Sequence, residues 1–447
     1  MSRPTEKRPA TVPVAKQAGD VRARWAWTEP SVWTDRMLNA LEKGVKGGKW
    51  YSLMDKVYAQ ANLEAAADRV IANRGAAGVD KETVRQFTRR REPALERVRT
   101  WLMRGEYRPQ AVRRVWIPKP GRKERRPLGI PTVTDRVVQT ALRAVLEPIF
   151  ERDFATHSYG FRPKRSAKDA LRRVDGLLKQ GYEVVVDADI KSYFDEIPHE
   201  ALMREVEAKV SDGRVLDLVR KYLGQGVLEE MQGWVPTQGT PQGAVISPLL
   251  ANIYLSPLDL LMEQRGMQMV RYADDFVILC RSRAEAERAL KVVQRWMEAA
   301  GLRMHPDKTR VVHWREEGFE FLGYRFHNGR RWLPKSRLKR IREAVRQKTR
   351  RNDGKSMECI IANLNRVLRG WYAYFKHLDH NEFNSLDGFI RRRLRSILRT
   401  RQCKGKRRYS KGSDHQRWPN AFFRCLGLFS LAAAWERDVQ SATAATH

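Results

Sequence analysis

The chain has 447 residues, with 86 Lys and Arg against 52 Asp and Glu, a formal net charge of +34. Its hydrophobic share of 42% is ordinary for a globular protein, and the length allows roughly two to four domains. So much positive charge points to a polyanion, nucleic acid by default, and no apolar run approaches the ~18 residues of a membrane-spanning helix. Cys280, Cys359, Cys403 and Cys425 have no CxxC spacing, so neither a zinc module nor a disulfide framework is supported.

In chain order, residues 1–20 are polar and basic, with Pro4, Pro9 and Pro13. They lack the apolar core of a secretory signal and read as a disordered arm in a cytoplasmic protein. Residues 25–58 hold a helical pattern around Val32, Met37, Leu38 and Leu41. Residues 63–73 form a second amphipathic helix, closed by the glycine-marked turn at 74–80. Strands are predicted at 112–117 and 126–130 across a basic turn, followed by a helix over 133–150. A strand at 182–189 ends on acids. A buried helix over 244–255 follows the turn Gly239-Thr240-Pro241-Gln242-Gly243. Two strands, 267–272 and 276–279, flank Ala273-Asp274-Asp275. An amphipathic helix spans 284–300, and 319–326 alternates as one strand. This order is an α+β pattern. Residues 326–417 then hold 27 Lys and Arg against 7 Asp and Glu. Their apolar positions keep the spacing of three helices, a small basic bundle suited to a phosphate backbone.

Adjacent carboxylates at the turn of an apolar hairpin repel each other near low-dielectric protein. Hard divalent cations offset that repulsion, and a two-metal site is the usual machinery of nucleotidyl transfer. Such a site needs a carboxylate from a second segment. The strand Val184-Val185-Val186-Asp187-Ala188-Asp189 supplies one, and spacing alone leaves both Asp187 and Asp189 open because they share a face.

The continuation Asp189-Ile190-Lys191-Ser192-Tyr193-Phe194-Asp195, with Tyr272-Ala273-Asp274-Asp275, resembles the two palm motifs of reverse transcriptases. Further blocks follow in the family's order. Arg74-Gly75-Ala76-Ala77-Gly78-Val79-Asp80 resembles the fingers entry. Ile117-Pro118-Lys119 and Arg126-Pro127-Leu128-Gly129-Ile130-Pro131 resemble the fingers hairpin. Ser158-Tyr159-Gly160-Phe161-Arg162-Pro163, Thr240-Pro241-Gln242-Gly243 with residues 247–255, Gly301-Leu302 with Lys308-Thr309, and Phe321-Leu322-Gly323-Tyr324 are similar to palm segments. Arg369-Gly370-Trp371-Tyr372-Ala373-Tyr374-Phe375 resembles the thumb of group II intron maturases.

The resemblance implies a right-hand polymerase: fingers and palm, an α-helical maturase thumb and a short basic C-terminal DNA-binding region. The implied divisions are a disordered basic arm at 1–23, an N-terminal extension at 24–58, fingers and palm at 59–326, thumb at 327–402 and the DNA-binding region at 403–447. It implies that Asp189 and Asp274, with the carbonyl of Ile190, hold two Mg²⁺ ions, and that Asp275 completes the catalytic carboxylates. Lys119, Arg126, Phe194 and Gln242 would bind the incoming deoxynucleoside triphosphate, Phe194 excluding a 2′-hydroxyl. Lys308 would contact template-primer, and Asp195 caps a turn. The pattern of paired cysteines found in intron endonucleases is not present after Lys404, so the resemblance narrows to the compact bacterial group IIC type. Its implied partners are a group II intron RNA and a DNA target, with no membrane. The alternative is a free-standing reverse transcriptase without an intron.

Overall fold

The structure, a computed structural model, describes residues 21–45, 47–118, 125–229, 232–240, 243–402 and 414–444. Lys119 and Gln242 lie outside the described residues, as do most of the 1–23 arm and residues 403–413 of the C-terminal region.

Three sheets organise the chain. The fingers sheet has the order β2-β1-β4-β5, from β1 (Val112–Pro118), β2 (Arg125–Ile130), β4 (Val227–Glu229) and β5 (Gln232–Trp234). The palm sheet has the order β6-β7-β3-β8, from β3 (Val184–Asp189), β6 (Gln268–Tyr272), β7 (Asp275–Cys280) and β8 (Arg310–His313). A third sheet joins β9 (Phe319–Phe321), β10 (Tyr324–His327) and β11 (Arg330–Trp332).

The palm sheet is the wall between two hydrophobic cores, because strand alternation sends successive side chains to opposite faces. Val184, Val186, Ala188, Phe276 and Ile278 point into one core, with the helices Gln60–Asn73, Val133–Glu151 and Ser247–Gln264. Val185, Val270, Val277 and Leu279 point into the other, which continues into the helices Lys335–Lys348, Met357–Phe375 and His380–Gln402. Both faces being covered explains why β3 and β7 read as continuous apolar runs rather than alternating ones.

Residues 24–58 join the first core. Trp33 is fully buried and donates its indole N–H to the Ala144 carbonyl at 2.9 Å. Asp212 accepts from the backbone N–H of Leu53 and Met54. A short helix, Val21–Arg24, begins in the last residues of the segment expected as a disordered arm and runs one residue past its end.

Two expectations need correction. Residues 319–326 are not one strand but the hairpin β9–β10, with Phe321 paired to Tyr324. Leu322 and Gly323 have φ of 49° and 82°, the left-handed pair of a two-residue hairpin turn. Aromatics stand at 319, 321, 324 and 326, so the alternation slips by one residue across Leu322-Gly323, which is where the turn falls. The helix expected over 244–255 starts at Ser247 and runs to Gln264, through Pro257. The hairpin β4–β5 was not anticipated, since each strand has three residues, too short for a periodic signal.

Candidate active site

The β6–β7 hairpin pairs Tyr272 with Asp275, leaving Ala273 and Asp274 as its two-residue loop. Ala273 sits at φ 61°, a left-handed conformation that glycine would adopt without strain. The surroundings hold it there. Gly160 lies so close that a Cβ on it would stand 2.2 Å from the Ala273 nitrogen. Tyr159 N–H donates to the Arg271 carbonyl, and Arg271 N–H to the His157 carbonyl. The Ser158-Tyr159-Gly160 segment therefore grips the turn through backbone, and any side chain at 160 would displace it.

On β3, Asp189 stands directly opposite Asp275, and Asp187 opposite Val277. Alternation puts Asp187, Asp189 and Asp275 on the face that carries Val185, Val277 and Leu279 further along the sheet. Asp187 is engaged by Arg310, at 3.0 and 3.1 Å. Burial pushes the Asp275 carboxyl up to about 7, helped by the charges of Asp187, Asp189 and Asp274 and opposed by the Leu322 backbone N–H. Asp274 is raised by burial and by Asp189, against Arg126 and Lys308.

The Ile190 carbonyl has a definite direction. Asp189 C=O accepts from His305 N–H, and Lys191 N–H donates to Arg303 C=O, both on the β8 side. Carbonyls alternate along an extended chain, so that of Ile190 faces β7, on the side of the Asp274 turn.

The other expected residues fall around this point. Lys308 is ion-paired with Asp189. Arg126 is exposed on β2 and close enough to act on Asp274. Phe194 is half-buried, packs against Tyr193 at 5.5 Å between ring centroids, and lines a cavity of about 340 Å³ with Thr240 and Trp234. Its carbonyl accepts from Thr240 N–H at 2.6 Å, bringing the turn before Gln242 against the palm. Asp195 also lines that cavity.

Comparison with known proteins identifies two regions of the chain. A family described as "Reverse transcriptase (RNA-dependent DNA polymerase)" matches residues 117–326, and "Group II intron, maturase-specific domain" matches 338–418. Protein YkfC of Escherichia coli is 33% identical over 344 residues, covering 68% of this chain and 86% of that protein. The chain belongs to the group II intron reverse transcriptase/maturase family. The Group II intron-encoded protein LtrA of Lactococcus lactis is 40% identical over 208 residues, 46% of this chain and 34% of its own length. A telomerase structure from Candida albicans aligns over 70% of this chain and 64% of that one, at 12% identity and a TM-score of 0.39, too low to add to the assignment.

The chain is thus an RNA-directed DNA polymerase of reverse transcriptase fold, with a maturase-specific domain after the palm. No group of three or more His, Cys, Asp or Glu side chains forms a ready-made metal cage among the described residues. The donors at hand are carboxylates and one carbonyl. That oxygen-only set fits a hard cation that keeps positions for substrate oxygens, and the raised carboxyls of Asp274 and Asp275 mark a place where added positive charge is favourable.

Sequence reasoning missed the reverse transcriptase's buried support. Arg271 is fully buried and forks onto both oxygens of Asp259. Its other branch donates to Asn252 Oδ1 at 3.0 Å and to the Ala273 carbonyl at 2.9 Å. Asn252 in turn donates to the Gly160 carbonyl at 2.8 Å. One guanidinium thus ties the Ser247–Gln264 helix, the acidic turn and the Gly160 segment together. The available signal was Asp259 itself, an acid inside an otherwise apolar helix, which demands a buried partner.

Proposed function

We propose that this protein is an intron-encoded reverse transcriptase that binds its own group II intron RNA, assists its splicing and copies it into a DNA target. The observation that carries the polymerase half is the meeting of Asp189, Asp274 and Asp275 at one end of the palm sheet, with the Ile190 carbonyl turned toward them. Asp189, Asp274 and the Ile190 carbonyl would hold two divalent cations, Mg²⁺ in this reading. When bound, those ions supply the charge that lowers the pKa of the primer 3′-hydroxyl and stabilises the departing pyrophosphate.

The chain's own groups do the rest. Asp275 keeps a second carboxyl beside the pair, where its raised pKa lets it hold a proton near neutrality. Arg126, and Lys119 on the same hairpin, would bind the triphosphate, the fork suited to two oxygens and the ammonium to one. Phe194 would lie under the sugar, and Gln242 beside it. Lys308, already at the carboxylates, would meet template-primer. The implied division stands as part of this reading: arm 1–23, extension 24–58, fingers and palm 59–326, thumb 327–402 and DNA contact at 403–447. No described helix is long and apolar enough to cross a membrane.

The maturase half is supported by the maturase-specific match at 338–418 and by the excess of Lys and Arg there. A free-standing reverse transcriptase would not need that domain. Primer extension on an RNA template with Mg²⁺, comparing wild type with Asp274→Ala, tests the catalytic assignment. The variant should lose at least about a thousandfold in rate, near 4 kcal/mol. Equal rates would remove Asp274 from the chemistry.

A further inference from the structure

The helix Met357–Phe375 ends in Trp371-Tyr372-Ala373-Tyr374-Phe375. The last carbonyls of a helix find no N–H four residues further on, so each needs another donor. For Tyr374 that donor comes from the third sheet: the Tyr324 hydroxyl of β10 donates to its carbonyl at 2.6 Å. The exchange is mutual. The Tyr374 hydroxyl donates at 2.8 Å to the Leu322 carbonyl, in the turn of the β9–β10 hairpin.

Leu322 is the first residue of that two-residue loop. Phe321 and Tyr324 close the ladder, so the N–H and C=O of Leu322 itself point away from both strands. Half-buried groups of this kind must find partners outside the hairpin. The C=O takes the tyrosine of the thumb helix, and the N–H takes the Asp275 carboxyl. One residue's backbone thus meets the thumb on one side and the acidic cluster on the other.

The surroundings leave this turn little freedom. β9 lies against β3 and β7 of the palm sheet. From the thumb, Arg337 approaches so closely that a Cβ on Gly323 would stand 3.3 Å from its Nε. The Tyr324 ring packs 5.3 Å from Phe375 and 6.1 Å from Tyr374, between centroids, so the aromatic contact does not depend on either hydroxyl. Burial, with Tyr272 and Asp275, raises the Tyr374 hydroxyl against the pull of Arg337. It therefore keeps its proton and remains a donor.

We propose that Tyr374 is a positioning residue for polymerisation: its hydroxyl fixes the Leu322 backbone, whose N–H orients Asp275 beside Asp189 and Asp274. The maturase-specific region, 338–418, then acts on the chemistry of the palm as well as on RNA. This inference rests on the reading of Asp275 as a catalytic carboxylate.

The test is single-turnover incorporation of dTTP on an oligothymidylate primer and polyadenylate template with Mg²⁺, using the full chain. Tyr374→Phe keeps the ring and removes the hydroxyl. Its maximal rate should fall roughly tenfold, while the Kd of template-primer and the concentration of dTTP at half-maximal rate stay as in wild type. Replacing Tyr374 by p-aminophenylalanine, whose N–H can donate to the same carbonyl, should restore most of the rate. In a double-mutant cycle, Asp275→Ala with Tyr374→Phe should be no slower than Asp275→Ala alone.

Four results would overturn the proposal. One is a Tyr374→Phe rate equal to wild type while Asp275→Ala is slow, which leaves the carboxylate reading intact. Another is Asp275→Ala at the wild-type rate, which removes that reading too. A third is weakened substrate binding at an unchanged maximal rate, which would give the hydroxyl a binding role. The last is an additive loss in the double variant, or no rescue by p-aminophenylalanine, since either would mean that Tyr374 acts by a route other than Leu322 and Asp275.

Discussion

In the palm, Asp187, Asp189, Asp274 and Asp275 crowd the end of a sheet that is otherwise apolar, and a buried Arg271–Asp259 pair lies just beneath the turn. In the thumb, the helices Lys335–Lys348 and Met357–Phe375 bury side chains such as Ile341, Val345, Leu364 and Leu368, while Lys339 and Arg340 stay exposed. The palm therefore places charge where water cannot screen it, and each charge needs a partner of fixed geometry. The thumb places charge in solvent, where only its sum and sign reach a partner. Substitutions in the two regions should consequently fail in different ways.

The largest stability effect is expected at Arg271. Arg271→Met strands the Asp259 carboxylate and frees the Ala273 carbonyl, and should cost about 3–5 kcal/mol in urea unfolding. A loss below about 1 kcal/mol would erase the contrast with the thumb.

Asp275 comes next, with the opposite sign. Its folded pKa is raised, so the native state holds a proton that the unfolded chain has released between about pH 4 and 7. Stability from this group is present below the unfolded pKa and is lost as pH rises through about 7. Asp275→Asn should therefore stabilise the metal-free protein at pH 8, by up to a few kcal/mol, and leave it nearly unchanged at pH 4. Melting temperatures at the two pH values check this. An equal shift at both would mean that charge repulsion does not set the stability of the turn.

Phe194 stands between the extremes, half-buried at the edge of the cavity. Phe194→Ala should relax discrimination against ribonucleotides by roughly tenfold or more, read as the ratio of kcat/KM for deoxy- and ribonucleotides. Unchanged discrimination would take Phe194 out of the sugar pocket. The smallest stability effect is in the thumb: Lys339→Gln with Arg340→Gln should alter unfolding by no more than about 0.5 kcal/mol. If both meet phosphate, the salt dependence of RNA binding should flatten by about 0.7–0.9 per residue.

How far the sequence could be read follows the same division. The hairpin around Ala273-Asp274, the strand ending at Asp189 and the three thumb helices were legible, because each repeats a hydrophobic period over enough residues to stand out. The paired register of Asp189 and Asp275 was not, since strand pairing is non-local. Asp187 and Asp189 could be separated only by the family pattern; in the fold, Arg310 occupies the first. Leu322-Gly323 held a turn whose sequence mark is a one-residue slip in the alternation of aromatics. Arg271 looked like one more base in a basic chain, and only burial reveals that it is the least exposed of them among the described residues. The second half of the fingers sheet was invisible for another reason: β4–β5 comes from two three-residue strands far along the chain.

That last pairing has a consequence for synthesis. β1 and β2 leave the ribosome as a hairpin by Ile130, but the parallel partner of β1 begins only at Val227. At about 5–20 residues per second, the intervening ~100 residues take some 5–20 s. Through that interval the Val112–Arg113 end of β1, which β4 later covers, leaves its N–H and C=O groups unpaired, of the kind that invites pairing with another chain. The four arginines of β1 and β2, with no acid among them, would keep two such nascent hairpins apart by repulsion.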